Sequence, residues 1–186
     1  FTEDDTSLQS FIYPNLYTAQ QGNIRYGSAY VYSNDAETFD LQAVVYNKSR
    51  GRVAVRIPIT GNTGGASLYY VSEEGYATGE SDVVSPGFAK AFDGYVGVGS
   101  MIDADTGRFY AIIDFMVRDN ATTNADGNYL LGFIVNGKAG QRVDVFGDGQ
   151  TTEFSGYGIE GWSDGSFNGT ISDLATTPNV VTVGSF

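Results

Sequence analysis

Catalysis in this chain has only carboxylates to draw on. None of its 186 residues is a histidine or a cysteine. The commonest general base, the commonest zinc ligands and the thiol nucleophile are therefore missing, which excludes Ser-His-Asp and Cys-His hydrolysis within the chain. The acids that fall in suggestive groups are Asp4 with Asp5, Glu73 with Glu74, Asp103 with Asp105, and a late set of Asp144, Asp148, Glu153 and Glu160. A glycosidase needs two carboxyls facing each other across a sugar, about 5–9.5 Å apart. Acids in turns and on sheet exteriors serve equally well as solvated loop residues, so no catalytic residue is assigned.

The run Ile102-Asp103-Ala104-Asp105-Thr106-Gly107 needs separate treatment, because Asp-Thr-Gly surrounds the catalytic Asp of aspartic proteases and subtilases. That Asp follows directly on an apolar strand, whereas Asp105 follows Asp103-Ala104 and precedes Arg108 and a new strand. The stretch is better read as a hairpin loop in which Gly107 supplies a positive φ. Asp103 and Asp105 are also the candidate pair for a hard cation such as Ca²⁺, although the later ligands of an EF-hand loop are lacking. No other cofactor is expected.

Aromatic residues suggest a second chemistry. Tyr26, Tyr30 and Tyr32 share one strand face, and Tyr69, Tyr70, Tyr76, Tyr95, Tyr157 and Trp162 fall in or near loops. Exposed rings could stack on sugars, with Trp162 and Tyr157 as the candidate pair; buried, the same rings would close a core while each hydroxyl reaches water.

The elements that would position these groups are strands. Phe39, Leu41, Ala43 and Val45 fall on one strand face with Asp40 and Gln42 on the other, Val53, Val55, Ile57 and Ile59 repeat the spacing, and the period of two recurs over 109–117 and 129–135. Pro58 cannot donate to a ladder, which places its strand at a sheet edge. Asn136-Gly137 favours a tight turn before the strand at 143–146. About eight strands emerge, with one short turn of helix near Thr6 to Phe11. The expected fold is all-β, an antiparallel β-sandwich of jelly-roll type.

Composition agrees with a folded domain: 41% of residues are hydrophobic, with 13 Tyr and 12 Phe. A net charge of −12 would repel phosphate backbones, so nucleic acid is not an expected partner. No apolar stretch approaches the roughly 20 residues that span a bilayer, so no transmembrane segment is expected. The opening Phe1, without a basic-then-apolar leader, reads as a processed or excised segment. The sequons at Asn47, Asn120 and Asn168 are no more than an Asn- and Thr-rich chain supplies by chance.

The last residues, Gly169-Thr-Ile-Ser-Asp-Leu-Ala-Thr-Thr-Pro-Asn-Val-Val-Thr-Val-Gly-Ser-Phe186, end on an apolar run without alternation. This stretch resembles the segment of subtilisin-like serine proteases that reads approximately Thr-Ile-Ser-Ser-Pro-Ala-Thr-Ala-x-Asn-Val-Ile-Thr-Val-Gly-Ala-Tyr. Thr170, Ile171, Ser172, Ala175, Thr176, Asn179, Val180, Thr182, Val183 and Gly184 fall in register. Asp173, Leu174, Thr177, Val181, Ser185 and Phe186 depart from it. In that family the Thr-Val-Gly run is a central strand of the catalytic domain, buried on both faces, which would account for the lost alternation.

The resemblance covers about 17 residues and implies an architecture. Some subtilases look like they carry a jelly-roll domain inserted ahead of this strand. Residues 1–22 would then be a lead-in, 23–165 the inserted sandwich, and 166–186 the flank re-entering the catalytic domain. The family's His-Gly-Thr-His and Gly-Thr-Ser-Met motifs have no counterpart here, and Asn23 lacks the Ala-Gly-Asn context of the oxyanion residue.

On this reading the chain is a non-catalytic domain of a larger serine endopeptidase outside the cytoplasm or in the cell envelope. Its partners would be the catalytic domain of the same polypeptide and that enzyme's protein or peptide substrate. The alternatives are a stand-alone carbohydrate- or surface-binding sandwich and an acidic-pair glycosidase.

Overall fold

The computed structural model describes residues 1–3, 6–14, 24–59, 64–73, 82–148 and 152–165. The subtilase-like tail, 166–186, lies outside these residues, as do Asp4, Asp5, Asn23, Glu74, Tyr76 and Asn168.

Alternating side chains divide most strands into an inward and an outward set, and two sheets bury the inward sets against each other. β1 (Ser7–Pro14), β3 (Asp40–Asn47), β4 (Arg52–Ile59), β9 (Tyr129–Asn136) and β11 (Thr152–Ser155) form a five-stranded sheet in the order β11-β1-β9-β3-β4. β2 (Arg25–Ser33), β5 (Gly64–Val71), β6 (Asp82–Val84), β7 (Phe92–Ile102), β8 (Phe109–Asp119) and β10 (Val143–Gly147) form a six-stranded sheet in the order β10-β2-β8-β7-β5-β6. All pairings are antiparallel except β5 with β6. The chain changes sheet at β1–β2, β2–β3, β4–β5, β8–β9, β9–β10 and β10–β11, the winding of a jelly roll.

The predicted inward residues build the core. Phe39, Leu41, Ala43 and Val45 of the β3 region meet Phe109, Ala111, Ile113, Phe115 and Val117 of β8 and Leu131, Phe133 and Val135 of β9. Phe39 and Phe109 pack edge to face at 4.9 Å. Pro58 sits on β4, an edge strand, as its missing N–H requires. The single described helix, α1 (Pro86–Ala89), is one turn capped by Ser85, whose hydroxyl accepts the Phe88 amide at 3.2 Å. It closes one end of the sandwich with the fully buried Phe88 ring.

Two local expectations are corrected. The stretch from Thr6 to Phe11 is not helical: it opens β1, paired with β9 on one side and β11 on the other, so the lead-in contains an integral strand. Leu8, Phe11 and Ile12 mimic helical spacing because this strand is buried on both faces. Ile12 enters the core between the sheets, while Phe11 lies under Trp162 on the opposite face. Asn136-Gly137 is not the tight turn: β9 and β10 belong to different sheets, and the turn between them runs from Lys138 to Gln141, whose amide donates to the Lys138 carbonyl at 3.0 Å. The connection carries the chain across the sandwich and places its positive φ at Gly140.

Candidate functional site

The outer faces of the two sheets differ. Residues 156–165 fold back over the five-stranded sheet. The Ser163 amide donates to the Gln9 carbonyl at 2.9 Å, the Ser10 hydroxyl to the Ser163 carbonyl at 2.7 Å, and the Gln9 side-chain amide to the Gly161 carbonyl at 2.7 Å. These bonds seat Trp162 flat on Phe11 at 3.7 Å and edge-on to Tyr46 at 5.3 Å. Gly132, between Phe11 and Val44 in the register, leaves room for the indole: a Cβ there would come within 3.0 Å of it.

On the six-stranded sheet, no described segment crosses the centre of the outer face. One cross-strand row runs Ser28, Asp114, Gly97, Tyr69, and the next runs Tyr30, Ile112, Gly99, Ser67. A third holds Tyr32, Tyr110 and Met101. Glycines at 97 and 99 strip the floor of side chains, and the Tyr69 ring lies down over Gly97, where a Cβ would sit 2.2 Å from it. The result is a trough of about 300 Å³ walled by Tyr30, Tyr69 and Tyr110.

Asp114 is the one acid lining this trough. Its Oδ1 accepts the Ser28 hydroxyl at 3.1 Å, and it also takes a hydrogen bond from the Tyr95 hydroxyl. Partial burial raises the Tyr95 pKa above its ordinary value, with further contributions from the Asp114 charge, from Tyr69, and from the hydrogen bond to Asp114. Tyr32 and Tyr110 stack at 5.4 Å.

The residues singled out by sequence fall elsewhere. Trp162 is half-buried with one ring face taken by Phe11, and Tyr157, 41% exposed, meets the Phe11 edge at 5.8 Å. Both belong to the segment that covers the five-stranded sheet. Tyr157 has a φ of +50°, the only positive value at a described residue other than glycine.

Asp103 and Asp105 lie in the β7–β8 hairpin loop, where Gly107 has a φ of +68°. One Asp103 oxygen accepts the Asp105 amide at 2.8 Å and the Thr106 amide at 3.0 Å. Those backbone bonds, Thr106 first, hold its pKa below the usual carboxylate range. They make an Asx-type loop brace. No three acids gather at one point among the described residues. Asp144 pairs with Arg142 at 3.1 Å, Asp148 accepts the Ser28 amide at 3.3 Å, and Glu73, Glu153 and Glu160 are exposed. Two of the sequon asparagines also brace loops: Asn47 accepts the Arg50 amide at 2.9 Å, and Asn120 accepts those of Thr122 and Thr123 at 3.0 and 3.1 Å.

A second cavity, about 290 Å³, opens at the β3–β4 turn beside α1 and is lined in part by Arg50, Arg52 and Lys90. Compared with protein-family models, curated proteins and solved structures, the chain matches none of them.

Asp114 was not among the acids that sequence pairing selected, because it stands alone in an apolar strand. The legible signal was its outward phase in Ala111-Ile-Ile-Asp-Phe-Met116 together with outward glycines at 97 and 99.

Proposed function

We propose that the chain is a non-catalytic β-sandwich domain of a larger subtilisin-like serine endopeptidase. It would pack on the catalytic domain of the same polypeptide or shape access of peptide substrates to it. The observation that carries this reading is the density of the tail resemblance, with ten residues from Thr170 to Gly184 in register. The absence of His and Cys from the whole sequence supports a non-catalytic role within the larger enzyme. Subtilase function outside the cytoplasm or in the cell envelope goes with the same reading.

The experiment is to read the coding frame on both sides of this segment and treat the full-length product with a serine-directed fluorophosphonate. A His-Gly-Thr-His motif before Phe1, a Gly-Thr-Ser motif after Phe186, and labelling of the full-length product but not of the 186-residue chain are expected. A frame lacking either motif overturns the proposal.

A further inference from the structure

We infer that the tyrosine-walled trough on the outer face of the six-stranded sheet is a binding site for a short, neutral saccharide. β8 is paired on both sides, with β2 and β7, and β7 with β8 and β5. Their backbone amides are already spent in ladders, so a peptide cannot add here as a strand. Recognition must come from side chains, and those present are phenol rings, hydroxyls and one carboxylate.

A pyranose presents C–H faces and equatorial hydroxyls on the same small body. Tyr30, Tyr69 and Tyr110 offer ring surface for the faces, because aromatic rings combine apolar area with a polar tip. Asp114 offers acceptors for the hydroxyls. An ionised carboxylate has about four lone-pair sites, and the Ser28 and Tyr95 hydroxyls occupy two. The same two bonds fix its orientation, and the Ser28 and Ser67 hydroxyls lie alongside.

Charge and size narrow the ligand. A carboxylate in the lining, in a chain of net charge −12, disfavours uronates, sulfated sugars and phosphates. The volume, about 300 Å³, is at the small end of the roughly 300–1,000 Å³ range of ligand pockets. That suits a short saccharide or one stretch of a longer chain. This inference does not depend on the protease reading: the flanking coding frame decides that one, and binding decides this one.

The test uses the 186-residue chain, ¹⁵N-labelled and titrated with neutral cello-, xylo-, manno- and chito-oligosaccharides. Saturable shift changes confined to β2, β5, β7 and β8 are expected with at least one of them. Tyr69→Ala, Tyr110→Ala and Asp114→Asn should each weaken that ligand about tenfold, equivalent to about 1.4 kcal/mol. Tyr69→Phe, which keeps the ring, retains binding, and thermal melts confirm that each variant is folded.

Trp162 is the sole tryptophan and belongs to the other sheet's face, so its fluorescence should not respond. The inference is overturned if no member of the panel binds saturably, if Trp162 reports the binding, or if an oligogalacturonate or an unrelated peptide occupies the trough as tightly.

Discussion

Replacing Trp162 by alanine separates a structural ring from a ligand-stacking one. The indole lies 3.7 Å from Phe11 at an interplanar angle of 8° and 5.3 Å from Tyr46 at 66°. Two aromatic pairs are worth about 0.5–1.5 kcal/mol each beyond area. A fully buried Trp→Ala costs about 3–5 kcal/mol. Trp162 is half-buried, which puts Trp162→Ala at about 2–3 kcal/mol. For a domain of this size about 2–4 °C of Tm follows each kcal/mol, so the melt should fall by about 5–10 °C.

Differential scanning calorimetry of the variant, paired with the saccharide titration, is the assay. Phe11→Leu provides a second reading on the intact fluorophore, since losing the stacked ring should shift Trp162 emission to the red. A Tm change under about 2 °C together with lost saccharide binding would refute the assignment of Trp162 to the fold and move the ligand to its face.

Three other outcomes follow from the geometry. Asn124 is fully buried, accepts the Tyr129 amide at 2.8 Å and donates to the Ala91 carbonyl and Asp119 at 3.0 and 2.9 Å. Asn124→Ala leaves buried groups unpaired and should cost about 2–4 kcal/mol in urea unfolding; a loss below about 0.5 kcal/mol would show the network to be dispensable.

Asp103 has a depressed folded pKa, so its contribution is present above the unfolded value of about 3.9 and is lost as pH falls through the lower folded one. A carboxyl ¹³C titration should place its midpoint below that of free aspartate, and a midpoint at or above it contradicts the loop brace.

Tyr95 has a raised folded pKa, so its contribution is present below about pH 10 and is lost as pH rises through the folded value. Phenolate absorbance in Asp114→Asn should show that titration moving down, because the charge and the charged acceptor are both removed. An unchanged midpoint would leave burial, with Tyr69, as the cause.

Periodicity carried most of the fold because inward and outward positions of a half-buried strand differ in polarity. Phe109 to Val117 and Phe39 to Val45 fell into phase without any knowledge of their partners. β1 escaped for the converse reason: Phe11 and Ile12 are both buried, on opposite faces, so alternation vanished. The candidate site was less legible. Its acid is single, its glycines read as weak strand residues, and its tyrosines, Tyr30, Tyr69 and Tyr110, came from β2, β5 and β8, separated in sequence by up to eighty positions.

The amino-acid order alone determined the chemistry that is excluded, since a missing histidine or cysteine is missing in any fold. It also determined the strand phases, the edge position of Pro58 and the Asp103 loop with Gly107, all of which are local. Which faces are covered was decided only by the tertiary structure. Whether an outward ring meets solvent, a ligand or another ring depends on where a segment 150 residues away comes to lie, as Trp162 does on Phe11. Asp114 reaches Ser28 and Tyr95 across two ladders for the same reason: sheet register brings together residues that no sequence spacing relates.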